Sequence, residues 1–122
     1  MNPALASRLR QQVARLRLQR EALERRLLKR RRMLGATLIE RYLGTGAAKR
    51  ATPAYYLVFP WGAKQIQRYV RQEDLPRVMP KARAWSEYYH LVAQWVKLNQ
   101  ELAQTWRALG RAQTEEPDRK SE

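Results

Sequence analysis

The chain has 122 residues, which is enough for one folded domain and leaves no room for an additional catalytic domain. Its 25 lysines and arginines against 11 acidic residues give a formal net charge of +14, so a polyanion is the expected partner. Without cysteine the chain can form neither disulfides nor cysteine-bound zinc sites, which favours the cytoplasm, and no apolar run approaches the roughly 18 residues that span a membrane.

The first predicted element is a long basic amphipathic helix over residues 5–34, after a flexible N-terminus at residues 1–4. Neither Gly nor Pro interrupts this stretch, and Gly35 is expected to end the helix. Arg20 and Arg30 fall on the apolar stripe, where a charge must extend to solvent or meet an acid. The other stripe residues alternate in steps of four and three: Leu9, Val13, Leu16, Leu23, Leu27 and Leu34.

The end of this helix carries the densest group of cations in the sequence. Two turns of helix crowded with cations would contact several phosphates. The alternative is a solvated coiled-coil face, but such a face normally interleaves acids, and residues 5–34 contain only Glu21 and Glu24. We therefore interpret the group as a phosphate-binding surface, composed of Arg25, Arg26, Lys29, Arg30, Arg31 and Arg32.

Residues 35–80 are predicted to form a small antiparallel sheet of two or three strands with a basic loop. Residues 37–43 can form a short strand, and residues 55–59 (YYLVF) give the clearest strand signal because they are aromatic and β-branched. Residues 65–70 (QIQRYV) alternate as a half-buried strand does. Residues 44–53 have the small and turn-forming residues of an exposed loop. The cations of this loop, Lys49 and Arg50, could therefore approach a ligand closely.

The predicted hairpin combines cations, amides and aromatic side chains. A small sheet fits the DNA major groove, where Gln and Arg read base edges, and the same aromatic rings would instead stack on single-stranded bases. In the competing interpretation Tyr55, Leu57, Phe59 and Ile66 form the core, and the polar residues of the other face are solvent-exposed side chains without a binding role. The candidate binding residues are Lys64, Gln65, Gln67, Arg68 and Arg71, beside the aromatic residues Tyr56, Trp61 and Tyr69.

A second long, aromatic-rich helix is predicted over residues 81–110, with Pro80 at its first position and Gly110 at its end. The remaining residues 111–122 are expected to form a disordered tail. Asn99 lies on the apolar seam and is the kind of polar residue that fixes helix register or oligomeric state. The full predicted seam is Trp85, Tyr88, Val92, Trp95, Asn99, Leu102, Trp106 and Leu109.

The two helices are expected to pair as an antiparallel hairpin or coiled coil, and a homodimer through the same seams is the competing arrangement. An enzyme needs convergent titratable groups, whereas this chain has one histidine and scattered carboxylates. The sequence therefore predicts a protein that is not an enzyme and that has no catalytic residues, no metal and no cofactor.

Short segments of the sequence resemble a family of small uncharacterised prokaryotic proteins found beside transposases. That family combines a Cys-rich CGKxGCRC-like loop, an HGPYYYL-like strand, a GK…RYV strand and a long helix. The resemblance covers about half the chain and implies a small sheet, a long helix and an association with mobile elements and DNA. Because residues 44–52 contain no cysteine, no metal or redox role carries over. The matching pieces are Pro53-Ala54-Tyr55-Tyr56-Leu57, Gly62 with Lys64, Arg68-Tyr69-Val70 and the helix with Tyr88-Tyr89.

Together these patterns predict an α+β protein with two long amphipathic helices and a small antiparallel sheet between them. The hypothesis is a non-enzymatic accessory protein that binds duplex DNA. The family resemblance implies a link to a recombination or nuclease machine of a mobile element. Two alternatives stay open: an RNA-binding subunit of a ribonucleoprotein, and a coiled-coil scaffold that binds an acidic protein partner. No membrane partner is expected.

Overall fold

The computed structural model of the chain describes residues 1–44, 46, 52–60 and 64–117. It confirms the predicted α+β class, with a three-stranded antiparallel sheet that lies between two helices in sequence. Two compact units are formed, one by Met1–Lys29 with Leu91–Glu122 and the other by Arg30–His90. We call them the helical unit and the sheet unit. The elements are α1 (Pro3–Leu27), β1 (Thr37–Arg41), β2 (Ala54–Phe59), β3 (Ile66–Val70) and α2 (Leu75–Ala112), which contributes to both units.

Helix α1 begins earlier than its apolar stripe indicates. The Asn2 side chain accepts a hydrogen bond from the backbone N–H of Leu5 at 3.1 Å, and Pro3 follows at a position where its missing N–H has no cost. The backbone N–H of Asn2 also donates to the carbonyl of Ala112 at 2.9 Å. Residues 2–4 are therefore capped and tied to α2, and the expectation of a flexible N-terminus is wrong for them.

In the helical unit, α1 packs against α2 in antiparallel order. Ala6 shares a buried cluster with Leu109 and Ala112, near the start of α1 and the end of α2. Farther along α1, Val13 and Leu16 form a second cluster with a residue earlier in α2, Leu102. The predicted α1 stripe thus forms the packed face, in the hairpin arrangement that the seams predicted.

The buried face of α2 is rotated from the predicted seam. Leu102 is 3% exposed and Leu109 is 6% exposed, as the pattern requires, but Trp106 is 52% exposed. Its neighbour Thr105 is buried instead, and the hydroxyl of Thr105 donates to the carbonyl of Glu101 at 2.8 Å. This internal bond satisfies the hydroxyl, so a small polar side chain can occupy the helix interface.

The predicted polar seam residues of the two helices meet each other. One Nη of Arg20 donates to the side-chain oxygen of Asn99 at 3.3 Å. One turn farther along, Nε1 of Trp95 donates to a carboxylate oxygen of Glu24 at 3.2 Å. These bonds pair specific positions of α1 and α2, and the bond to Asn99 is a polar contact of the kind that can fix helix register.

Asn99→Leu should lower the free energy of unfolding by about 1–3 kcal/mol, because Arg20 then loses its acceptor in a half-buried site. Arg20 is already poorly compensated, since its Nε is buried without a hydrogen-bond partner within the described part of the chain. The double variant Arg20→Met/Asn99→Leu should regain most of this loss, because both polar groups are removed together. Urea unfolding of Arg20→Met, Asn99→Leu and the double variant measures the coupling energy between the two residues. Strictly additive changes in the free energy of unfolding would contradict the pairing of Arg20 with Asn99.

Helix α1 ends at Leu27, seven residues before the predicted end at residue 34. Extension of the helix would place like charges four residues apart, Arg25 with Lys29 and Arg26 with Arg30, which is unfavourable. Tertiary contacts stabilise the non-helical backbone of this segment, because the N–H of Leu34 donates to the carbonyl of Lys81 at 3.1 Å. Gly35 is accordingly not a helix cap.

Helix α2 begins at Leu75 rather than at residue 81, so Pro80 lies inside the helix. An internal proline costs about 3 kcal/mol of helix stability. Burial of Val78 and Ala82 against the sheet favours the extra turn. At the other end Gly110 is helical and α2 continues to Ala112. Of the predicted tail, residues 113–117 have no helix or strand, and residues 118–122 lie outside the described residues.

In the sheet unit, β2 is the central strand and pairs antiparallel with both β1 and β3. One sheet face packs on the first part of α2. This core includes Leu57, Phe59 and Val70, with Tyr55 packed against it, as the strand pattern predicted. Ile66 is the exception, since it lies on an edge strand and is 41% exposed. The core of the unit consists of Ala36, Leu57, Phe59, Val70, Val78 and Ala82.

Candidate nucleic-acid interface

The second face of the sheet, here called the outer face, carries the candidate site. Cross-strand partners point to the same side of a sheet, and side chains alternate along each strand. The pairs Ile39 with Tyr56 and Tyr56 with Tyr69 therefore share a face opposite to Leu57. By the same register, the outer face contains Thr37, Ile39, Arg41, Ala54, Tyr56, Val58, Gln67 and Tyr69.

Two tyrosines and one arginine form a contiguous group on the outer face. The rings of Tyr56 and Tyr69 meet edge to face, with centroids 5.7 Å apart and an interplanar angle of 68°. The Arg41 guanidinium carbon lies 5.4 Å from the centroid of the Tyr56 ring, within the range of a cation–π contact. Tyr69 remains 61% exposed. The face thus presents an open aromatic ring beside an exposed guanidinium.

The charge of the outer face is positive. Among its strand residues within the described ranges, none is acidic. Arg71 follows β3 with extended backbone dihedrals, and continued alternation places it on the side of Gln67 and Tyr69. Its guanidinium lies 3.4 Å from a Glu73 oxygen, but both side chains are 72% exposed, so solvent screens this ion pair. Arg71 can therefore exchange this contact for an anionic ligand.

The structure separates the predicted hairpin residues. Gln67 lies on the outer face, whereas Arg68 lies on the opposite face with its guanidinium carbon 5.7 Å from the Phe59 ring centroid. Strand alternation separates these two neighbours, so only one of them can contact a ligand on the outer face. Lys64 and Gln65 precede β3 and are exposed. Three predicted residues lie outside the described residues: Lys49, Arg50 and Trp61.

The predicted cationic helix face is also divided. Arg25 and Arg26 are exposed in the last turn of α1, and Lys29 is exposed just beyond it, all in the helical unit. Residues 30–32 belong to the sheet unit and are not helical, so the interpretation of all six cations as one helical surface is wrong. Arg31 lies with its guanidinium carbon 5.8 Å from the Tyr88 ring centroid.

Sequence reasoning missed Arg41. The sequence predicts a strand that contains Arg41, but nothing in its pattern pairs that strand with the tyrosines. Arg41 lies opposite Ala54, which sets its side chain next to Tyr56 along β2. This register depends on how the chain between β1 and β2 closes, and hydrophobic alternation fixes only the parity of a strand.

One concave site of the sheet unit is large enough to be considered as a candidate active site. It has a volume of about 350 Å³ and is lined by Thr37, Pro60, Trp85, Ser86 and Tyr89. Trp85 and Tyr89 contact each other edge to face, with ring centroids 4.6 Å apart. These lining residues offer three hydroxyls, those of Thr37, Ser86 and Tyr89, but no histidine, lysine or carboxylate that could act as a general base beside them. Within the described ranges, no group of three metal-binding side chains occurs either.

Among the described residues, no helix has the length and apolarity needed to cross a membrane. Comparisons with protein-family models, curated proteins and solved structures find no match for this chain. The resemblance to the transposase-associated family, and the link to mobile elements that it implies, stay predictions. The function is therefore inferred from the geometry and charge of this chain.

Proposed function

We propose that the protein is a non-enzymatic nucleic-acid-binding accessory protein whose outer sheet face holds its partner. The observation that carries this proposal is the grouping of Arg41, Tyr56 and Tyr69 on one face that has no acidic strand residue in the described ranges. Guanidinium groups bind phosphate through paired hydrogen bonds, and aromatic rings bind bases. A nucleic acid presents both groups, phosphate and base, to one surface.

An acidic protein partner would be complementary to fewer of the groups on this surface than a nucleic acid would. Carboxylates would pair with Arg41 and Arg71, but they would leave the exposed Tyr69 ring and the Gln67 amide without a complementary group. A Gln amide both donates and accepts hydrogen bonds, as base edges do. Aromatic, amide and guanidinium groups together therefore favour nucleic acid over an acidic protein.

The sequence favours duplex DNA over RNA, and a ribonucleoprotein subunit is the alternative. Both carry the same phosphate charge, so the electrostatic contribution serves either partner. Competition between labelled duplex DNA and unlabelled structured RNA for the purified protein ranks the two. Failure to bind either of these, and any single strand, at low salt would overturn the proposed function.

The double variant Arg41→Gln/Arg71→Gln should weaken nucleic-acid binding and reduce the magnitude of the log–log salt slope by about 1.8 on duplex DNA, or about 1.4 on a single strand, for two lost phosphate contacts. The matched control is Arg15→Gln/Arg17→Gln, which removes the same charge from exposed positions of α1. The control should change the slope much less, because its cations lie in the helical unit and outside the outer face. Fluorescence anisotropy titrations at several salt concentrations measure both slopes. Equal changes for the two variants would contradict the assignment of binding to the sheet.

A further inference from the structure

We infer that the outer face binds an unpaired, single-stranded segment, with the Tyr69 ring as the platform on which a base stacks. This inference rests on the proposed function and names its ligand: a nucleobase whose face is accessible, on a phosphate backbone. Tyr69 is the most exposed aromatic side chain of the sheet strands in the described ranges, at 61%. Stacking on such rings tolerates any base, since every base has a π-face.

The contacts of Tyr69 leave its ring available. Tyr56 meets it edge to face and thereby restrains its position, while Tyr69 stays exposed on the edge strand β3. Tyr56 itself is half-buried and carries the Arg41 guanidinium over its ring. The two tyrosines therefore differ in role: Tyr56 supports Tyr69 and orients Arg41, and Tyr69 offers the open surface.

Polar groups flank the platform along β3. Gln67 and Arg71 lie two residues before and after Tyr69, which places each about 6.6 Å away along an extended strand. Arg71 and Arg41 supply guanidinium groups for the phosphates of the strand that carries the stacked base. Gln67 supplies an amide for the edge of that base or its neighbour. The charge complementarity is direct, since the backbone of a nucleic acid is anionic and this face is cationic.

The shape of the face disfavours a duplex groove. Three strands spaced about 4.8 Å apart place β1 and β3 about 10 Å from each other before side chains are added. The DNA major groove is about 12 Å wide and admits a two-stranded ribbon or a helix. In a duplex, moreover, each base is already stacked on its neighbours and exposes only its edge. An exposed aromatic ring therefore matches unpaired bases.

Tyr69→Leu should weaken binding to single strands by about 5- to 150-fold, the loss expected for one stacked base. The measurement is anisotropy with labelled oligodeoxythymidine and oligouridine of about 16 nucleotides, the upper site size for a single small domain. A hairpin duplex of equal length is the third probe. Tyr69→Phe, which keeps the ring, should bind like the unmodified protein. Tyr89→Leu is the matched control, because Tyr89 is similarly exposed, at 59%, but lies on α2.

The outcomes separate this inference from the proposed function. A loss for Tyr69→Leu on single strands alone supports base stacking, and the two single-stranded probes then show whether DNA or RNA is preferred. Equal losses on duplex and single strands, no loss at all, or an equal loss for Tyr69→Phe would overturn the stacking role while nucleic-acid binding stands. If the unmodified protein binds none of the three probes at low salt, the proposed function itself fails.

Discussion

Raising the salt concentration from about 50 to about 200 mM should lower the affinity of the protein for nucleic acid on the order of a thousandfold, if about six phosphates are neutralised. Each neutralised phosphate releases condensed counterions, and added salt opposes that release. The outer face supplies Arg41 and Arg71, so the other contacts require exposed cations elsewhere in the sheet unit. Its exposed basic residues include Arg30, Arg32, Arg41, Lys64, Arg68 and Arg71.

The measurement is a series of anisotropy titrations with one oligonucleotide over that range of salt. A plot of the logarithm of affinity against the logarithm of salt should have a slope near −5 for a duplex and a smaller one for single strands, about −4. Circular dichroism over the same range is the control for unfolding. A flat plot would remove the phosphate-binding mechanism, whatever the absolute affinity.

The sequence predicts the strands and the helical pairing well because their signals are local. β2 consists mainly of aromatic and β-branched residues, and the α1 stripe repeats with helical spacing. Each pattern therefore indicates which side of its element is buried. Val13 and Leu16 are buried as that spacing requires. Local preference and tertiary packing agree at these positions, and the prediction needs no knowledge of the partner element.

Prediction fails where distant contacts decide the outcome. Residues 28–34 suit a helix by composition, yet Leu34 bonds to Lys81 and packs on the sheet core. The polar side chain of Thr105 predicts a surface position. In the structure Thr105 is buried, and its hydroxyl donates to a carbonyl of its own helix. At residues 28–34 a contact made elsewhere in the chain outweighs the local preference. At Thr105 a bond within the helix allows a polar side chain to be buried.

The candidate site follows the same division. The tyrosines, Gln67 and Arg71 were identified from composition, because aromatic, amide and guanidinium groups in one hairpin are typical of nucleic-acid binding. The separation of Gln67 from Arg68 follows from strand alternation and could have been read from the sequence. Placement of Arg41 beside Tyr56 could not, since it requires the register between β1 and β2.

Leu102→Ala should lower the free energy of unfolding by about 2–5 kcal/mol, the usual cost of a cavity left by a buried leucine. Leu102 is 3% exposed and packs with Val13 and Leu16 of α1. The control is Trp106→Ala, which removes a larger side chain from the same helix. Trp106 is 52% exposed, so its loss should cost well under the value for Leu102, although the sequence pattern places both residues on one seam.

Urea unfolding followed by circular dichroism compares the two variants with the unmodified protein. The contrast is informative because the two possible seams of α2 predict opposite rankings. If α1 packed on the seam read from the sequence, Trp106→Ala would be among the most damaging changes in the helix, since an aromatic side chain buries more apolar surface than a leucine does. A greater loss for Trp106→Ala than for Leu102→Ala would therefore mean that α1 contacts the predicted face, and that Thr105 is not at the interface.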